Sequence, residues 1–207
     1  MKPQDIEKRS FEIITAELGE RTFPAGIAEV VKRVIHTTAD FDYADSLAFS
    51  PDVIEKAKAA LAAGATVVTD TNMALSGVSK VTLAKLGGKA VCLMADEQVA
   101  REAKARGVTR AVVSMEHAAK FEGPLIFAIG NAPTALIRLH ELIEEGIVAP
   151  ALVIGVPVGF VNVVEAKELF IGGDTPYIIA RGRKGGSNVA ASIVNALLYQ
   201  MVHREGF

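Results

Sequence analysis

The stretch "PLIFAIGNAPTALIRLHELI", residues 124–143, decides how this chain folds. Leu125 to Ile129 form a continuous apolar run, short for a helix and apolar on both faces of a strand. Gly130, Asn131 and Pro133 then interrupt it, and Pro133 stands where a helix tolerates a missing N–H. Beyond that point Leu136, Leu139 and Ile143 recur at helical spacing. A strand buried on both faces and followed at once by an amphipathic helix is the unit of a parallel sheet.

The unit recurs along the chain. "ATVVTD" (65–70), "KAVCLM" (89–94), "ALVIGVP" (151–157) and "PYIIARG" (176–182) are further apolar runs of strand length. Helical patterns occupy 51–63, 96–106, 132–145, 161–170 and 187–203, after two opening helices at 3–18 and 24–36. The expectation is α/β: a single doubly wound domain over 1–207, with a mainly parallel sheet covered by helices on both faces. A chain of 207 residues suits one well-buried core. Ligands of open parallel sheets bind outside the C-terminal strand ends. The loops that matter are therefore "TDTNMALSG", "GNAPTAL", "GVPVGFV" and "RGRKGGSN".

Composition narrows the function. A net charge of −2 gives no general attraction to nucleic acid or to an anionic membrane, so neither partner is expected. No apolar run reaches the ~18–20 residues that a bilayer demands, and the N-terminus lacks a signal-peptide core. A cytoplasmic location follows as the expectation. The single cysteine, Cys92, allows no internal disulfide and reads as a buried strand residue.

Familiar motifs are missing. Gly182, Gly185 and Gly186 fit neither the dinucleotide fingerprint nor the P-loop spacing. "GRKGGSN" can still offer backbone N–H groups, with Arg181, Arg183 and Lys184, to an anion; the alternative is a tight turn with solvated cations. His36, His117, His140 and His203 are scattered, so no metal site and no cofactor are expected. His140 and His203 read as helix-surface residues, and no nucleophile elbow is present. Acid–base chemistry survives, with a histidine as its usual agent. His36 is the better placed candidate and His117 the second, because His36 ends an apolar stripe of Val30, Val31, Val34 and Ile35 before a polar, acidic loop. A bland reading stays open beside it: a cation at a helix C-terminus suits the macrodipole.

Taken in order, "EKRSFEII", "KRVIHTTADFDY", "AGATVVTDTNMALSGVSK", "AIGNAPTALIRLHELI", "IGVPVGFVNVVEAKE" and "ARGRKGGSNVAASIVNALL" resemble the precorrin-8X methylmutase family, cobalt-precorrin-8 methylmutases included. The likeness runs from about residue 5 to residue 202. It implies an isomerase of corrin biosynthesis that moves a methyl group from C11 to C12, giving hydrogenobyrinic or cobyrinic acid. The family's active-site histidine falls on His36 and its substrate-contacting serine on Ser10, beside Arg9. Its basic position before the histidine falls on Arg33, and the arginine after a "G-x-T" turn on Arg110. Asp70, Asn131, Gly185, Gly186 and Ser187 are implied pocket positions.

The resemblance further implies a homodimer acting on a corrinoid substrate, with hand-over of the product to the next enzyme of the pathway. Asp40, Asp42 and Asp45 after the histidine are a departure that leaves its tuning open. An internal methyl shift needs no methyl donor and no net electron transfer, which agrees with the missing motifs. A flat macrocycle fringed with carboxylates needs an apolar floor and several fixed donors. Two rivals stand beside this reading: a corrinoid carrier without catalysis, and a nucleotide- or phosphate-binding enzyme drawn from the glycine loops alone.

Overall fold

The structure is a computed structural model that describes residues 3–202, so His203 lies outside the described residues. Helices α1 (Pro3–Leu18), α2 (Ile27–Thr38) and α3 (Tyr43–Ser46) precede strand β1 (Leu47–Phe49) and helix α4 (Val53–Ala62). Then follow β2 (Thr66–Thr69), α5 (Asn72–Gly77), α6 (Lys80–Lys85), β3 (Lys89–Cys92), α7 (Glu97–Arg106) and α8 (Arg110–Ala118). The chain continues with β4 (Leu125–Ile129), α9 (Pro133–Glu144), β5 (Leu152–Gly155), α10 (Val163–Glu168), β6 (Tyr177–Ala180) and α11 (Ser187–Tyr199).

The six strands lie in the order β1-β6-β5-β4-β2-β3. All neighbours run parallel except β1, which pairs antiparallel with β6 through Leu47–Ala180 and Phe49–Ile178. Strand alternation sends Ile126 and Ala128 into a core with α1, α2, α4 and α11. Leu125, Phe127 and Ile129 pack on the other face against α8 and α9. Both faces of the sheet are thus covered, which is why the central runs carry no polar alternation.

Four differences from the sequence reading have physical causes. The antiparallel β1 is three residues long, too short to register as an apolar run. Helices α5, α6 and α8 follow polar entries: Thr71 and Thr109 cap α5 and α8 by accepting from the N–H groups of Ala74 and Val112. Pro24 lies before α2 rather than inside it, because Gly26 at φ 81° forms the entry. Cys92 ends the edge strand β3, where only one side has a neighbour, and it is partly exposed rather than buried.

The connection after β2 leaves towards β3, whereas those after β4 and β5 leave in the opposite direction. The switch point lies between β2 and β4, at the ends that bear "TDTN" and "GNAP". Helix α11 packs beside α2, α5 and α4. It is apolar nearly all round, as a central buried helix must be.

Candidate active site

Asp70 occupies the switch point. It is 1% exposed, and its carboxylate accepts from the N–H groups of Gly130, Asn131 and Ala132 at 2.9, 2.8 and 2.7 Å. Three successive N–H groups aimed at one carboxylate form an anion nest. In a nucleotide-binding sheet this crevice receives a phosphate; here the chain's own side chain fills it. Burial raises the carboxyl pKa, against the pull of the three donors. The Asn131 side chain remains exposed above this nest.

The loop after β6 crosses the strand ends. Gly186 donates its N–H to the Val156 carbonyl at 2.9 Å, and the Ser187 hydroxyl meets that of Thr71 at 2.7 Å. Two glycines permit this closeness. A Cβ on Gly185 would stand 2.0 Å from the Val156 oxygen, and one on Gly130 would stand 2.7 Å from that of Gly186. Gly186 and Ser187 are buried under the loop they help to seat. Among the cations of this loop, Arg181 forms a two-point pair with Glu168, and Arg183 lies 5.4 Å from the Phe160 ring. Lys184 donates to both Asp40 and Asp42 at 2.6 Å.

That last contact brings the loop to His36. Helix α2 ends two residues beyond His36, and Ala39 turns the chain with φ 55°. The Asp40–Asp42 turn is therefore held by Lys184, and its carboxylates are committed to that cation. Lys184 keeps the Asp40 carboxyl below the usual carboxylate range.

His36 and Ser10 line one cavity of about 290 Å³ together with Ile13, Ile14, Ile35 and Phe41. The Ser10 hydroxyl donates to the Ile6 carbonyl within α1 at 2.9 Å. The His36 ring stacks on Phe11 with centroids 5.1 Å apart. Arg33 lies 4.6 Å from the same Phe11 ring and 5.3 Å from that of Tyr199, and pairs with Glu7 at 2.5 Å. Burial holds the His36 pKa below its ordinary 6.5; the Arg33 charge adds to this and Glu7 opposes it. A neutral imidazole at neutral pH can accept a proton and return it.

The remaining candidates stand elsewhere. Arg9 is exposed and paired with Glu12 one turn on. Arg110, at the start of α8, reaches the Met94 carbonyl at 3.5 Å beside the end of β3, away from the His36 cavity. His117 bonds Glu102 at 2.8 Å within a cluster that also joins Arg106, Glu116 and Arg138. His140 is only partly exposed and meets the Phe170 ring edge-on at 5.5 Å. Sequence reasoning passed over Phe11 and Lys167. For Lys167 a signal existed: it lies four residues after Val163 and three before Phe170, on the apolar side of α10.

A doubly wound α/β chain with a histidine in a partly apolar cavity has the fold and the group that an enzyme of acid–base type uses. Residues 5–200 match the precorrin-8X methylmutase family, and the chain belongs to that family of methyl-shifting isomerases acting on corrinoids. It is 46% identical to the cobalt-precorrin-8 methylmutase of Salmonella typhimurium, over 97% of this chain and 96% of that one. It is 40% identical to the precorrin-8X methylmutase of Pseudomonas aeruginosa, over 94% of each. The crystal structure of precorrin-8X methylmutase from Thermus thermophilus superposes with a TM-score of 0.86 at 39% identity, over 94% of each chain.

Proposed function

We propose that this protein moves a methyl group from C11 to C12 of precorrin-8X or cobalt-precorrin-8, with His36 as the proton shuttle. The observation that carries this reading is His36 itself, held neutral at the mouth of a cavity that Ser10 shares. Protonation of the macrocycle near the migrating methyl redistributes the conjugated system and favours the C12 isomer. The proton is one that neutral His36 first takes from the substrate: the imidazolium so formed delivers it to the ring and is neutral again. General acid–base help of this kind contributes ~10²–10⁴-fold in rate, and fixed orientation supplies much of the remainder.

Exposed donors suit a carboxylate-fringed substrate: Asn131 and Arg183 lie on the loops at the strand ends, while Arg110 on α8 and Arg9 on α1, which stand outside those loops, meet only its outer carboxylates. Gly185, Gly186 and Ser187 hold the loop that carries Arg183. Arg33 serves by depressing the His36 pKa from its place between two aromatic rings.

A cavity of about 290 Å³ is small for a macrocycle. Phe160 is 82% exposed and Val161 79%, beside the strand ends. These two facts support a homodimer in which a second copy covers the apolar loop and enlarges the pocket. Residues 1–207 then act as one methylmutase domain, in the cytoplasm, passing the product to the next corrin-pathway enzyme. The described residues contain no helix long and apolar enough to cross a membrane.

The test is incubation of wild type and His36→Ala with metal-free and cobalt-containing precorrin-8 in parallel, followed by the visible spectrum. Multiple turnovers by wild type, lost in His36→Ala, are expected. Stoichiometric binding without turnover makes the protein a carrier, and near-wild-type turnover by His36→Ala removes the histidine from the chemistry. Sedimentation at micromolar concentration reads the homodimer directly.

A further inference from the structure

Lys167 is the one lysine among the described residues with no solvent exposure at all. Burial of an ammonium group is strongly unfavourable unless hydrogen bonds replace its water. Here Nζ donates to the carbonyls of Gly182 and Lys184, each at 2.8 Å. Burial lowers its pKa to about 8. A neutral amine would keep two hydrogens, enough for the same two carbonyls. Volume alone does not require a lysine, since an apolar side chain of like size fills the same space. What an apolar chain cannot do is serve two inward-facing carbonyls.

Those carbonyls belong to the loop that crosses the strand ends. Between them the Arg183 carbonyl accepts from the Gly159 N–H at 3.1 Å, so three consecutive carbonyls are held by hydrogen bonds. The neighbouring Glu168 of α10 holds the Arg181 guanidinium. The backbone of Lys184 is thus fixed from below, while its side chain grips Asp40 and Asp42 from above. Asp40 lies four residues after His36.

We propose that Lys167 is a positioning residue: it sets the Gly182–Lys184 backbone where Lys184 can hold the Asp40–Asp42 turn, and so fixes the helix end that bears His36. The proposal rests on His36 being the working group of the methyl shift. It extends the site to a side chain that never reaches the substrate.

Lys167→Met and Lys184→Met, singly and together, test it through steady-state kinetics and through the NMR titration of His36. Misplacement of this kind costs up to about a hundredfold in turnover. Each single variant is expected to lower kcat/KM and to move the His36 titration. The double variant should lose little more than the worse single, because both changes break one chain of contacts. Lys167→Gln, which retains an NH₂ group, should recover part of the loss.

Additive losses, or an unmoved His36 titration in Lys184→Met, overturn the proposal. If Lys167→Met does not fold, Lys167→Gln takes its place beside Lys184→Met, and an unmoved His36 titration in it overturns the proposal. Wild type without turnover would remove the function but leave the positioning role to be judged by the titration.

Discussion

The imidazole of His36 lies against the ring of Phe11 with their planes 7° from parallel. Phe11 belongs to α1 and His36 to α2, so the stack joins two helices at the cavity both of them line. Arg33 reaches the same ring from one turn earlier on α2. The histidine is therefore kept partly dry by an aromatic face and kept uncharged by a nearby cation. Both influences favour the base form before substrate arrives.

His36 is exposed on one side. Replacement of Phe11 by Leu should uncover more of the imidazole and raise its pKa towards 6.5, because its partial burial is the main cause of the depression. If the neutral ring is the working form, turnover falls as pH drops through that pKa. The acidic limb of the pH–rate profile should then move to higher pH in Phe11→Leu. Loss of the ring contact costs about 0.5–1.5 kcal/mol of stability. A limb that stays in place would show that the stack does not tune His36.

The same depression makes a stability prediction. The His36 pKa is lower in the folded state than in the unfolded chain, so the unfolded chain binds the proton first. The contribution of neutral His36 is complete above 6.5 and is lost as pH falls through the folded value. Wild type should lose stability over that range in denaturant unfolding. His36→Gln should flatten that part of the curve, and an unchanged slope would exclude His36 as its source.

Asp70→Asn should fold less stably without touching the His36 cavity. An amide offers one acceptor oxygen where the carboxylate serves three N–H groups, and it turns an NH₂ towards at least one of them. Hydrogen bonds to a charged acceptor are worth roughly 1.5–3 kcal/mol, so a loss of about 2–4 kcal/mol in chemical denaturation is expected. Unchanged stability would mean that the nest tolerates an amide.

How much of this was legible beforehand follows from what each feature needs. The parallel sheet was readable because Leu125–Ile129 and its equivalents are buried on both faces and so carry unbroken apolar runs. β1 was hidden since three residues at an edge leave no pattern, and α5, α6 and α8 because their caps look like loop. The place of His36 on α2 was visible in its stripe of valines. Its stack on Phe11 was not, because a contact between two helices depends on how they pack. Asp70 stood as a pocket position only through the family resemblance; only the fold reveals that its oxygens face backbone N–H groups. Asp40 and Asp42 raised the question of histidine tuning, and the partner that answers it, Lys184, is over 140 residues away in sequence.

Gly185→Ala should damage turnover through the loop rather than through the sheet. Its Cβ would stand 2.0 Å from the Val156 oxygen and 2.8 Å from the Val156 carbonyl carbon. Neither backbone atom can retreat, since Val156 is tied to Ile129 and to Gly186 by hydrogen bonds of 2.8 and 2.9 Å. The loop must lift instead, and with it the Lys184 grip on Asp40. Overpacking of this kind costs about 1–3 kcal/mol, small enough for the variant to stay folded while kcat/KM falls severalfold or more. Gly173→Ala is the control: a Cβ there meets only the Phe170 carbonyl oxygen, at an ordinary 3.5 Å. It should stay within about 0.5 kcal/mol of wild type, with unchanged kinetics. Equal behaviour of the two variants, in unfolding and in turnover, would show that the loop's seat on β5 has no bearing on the site.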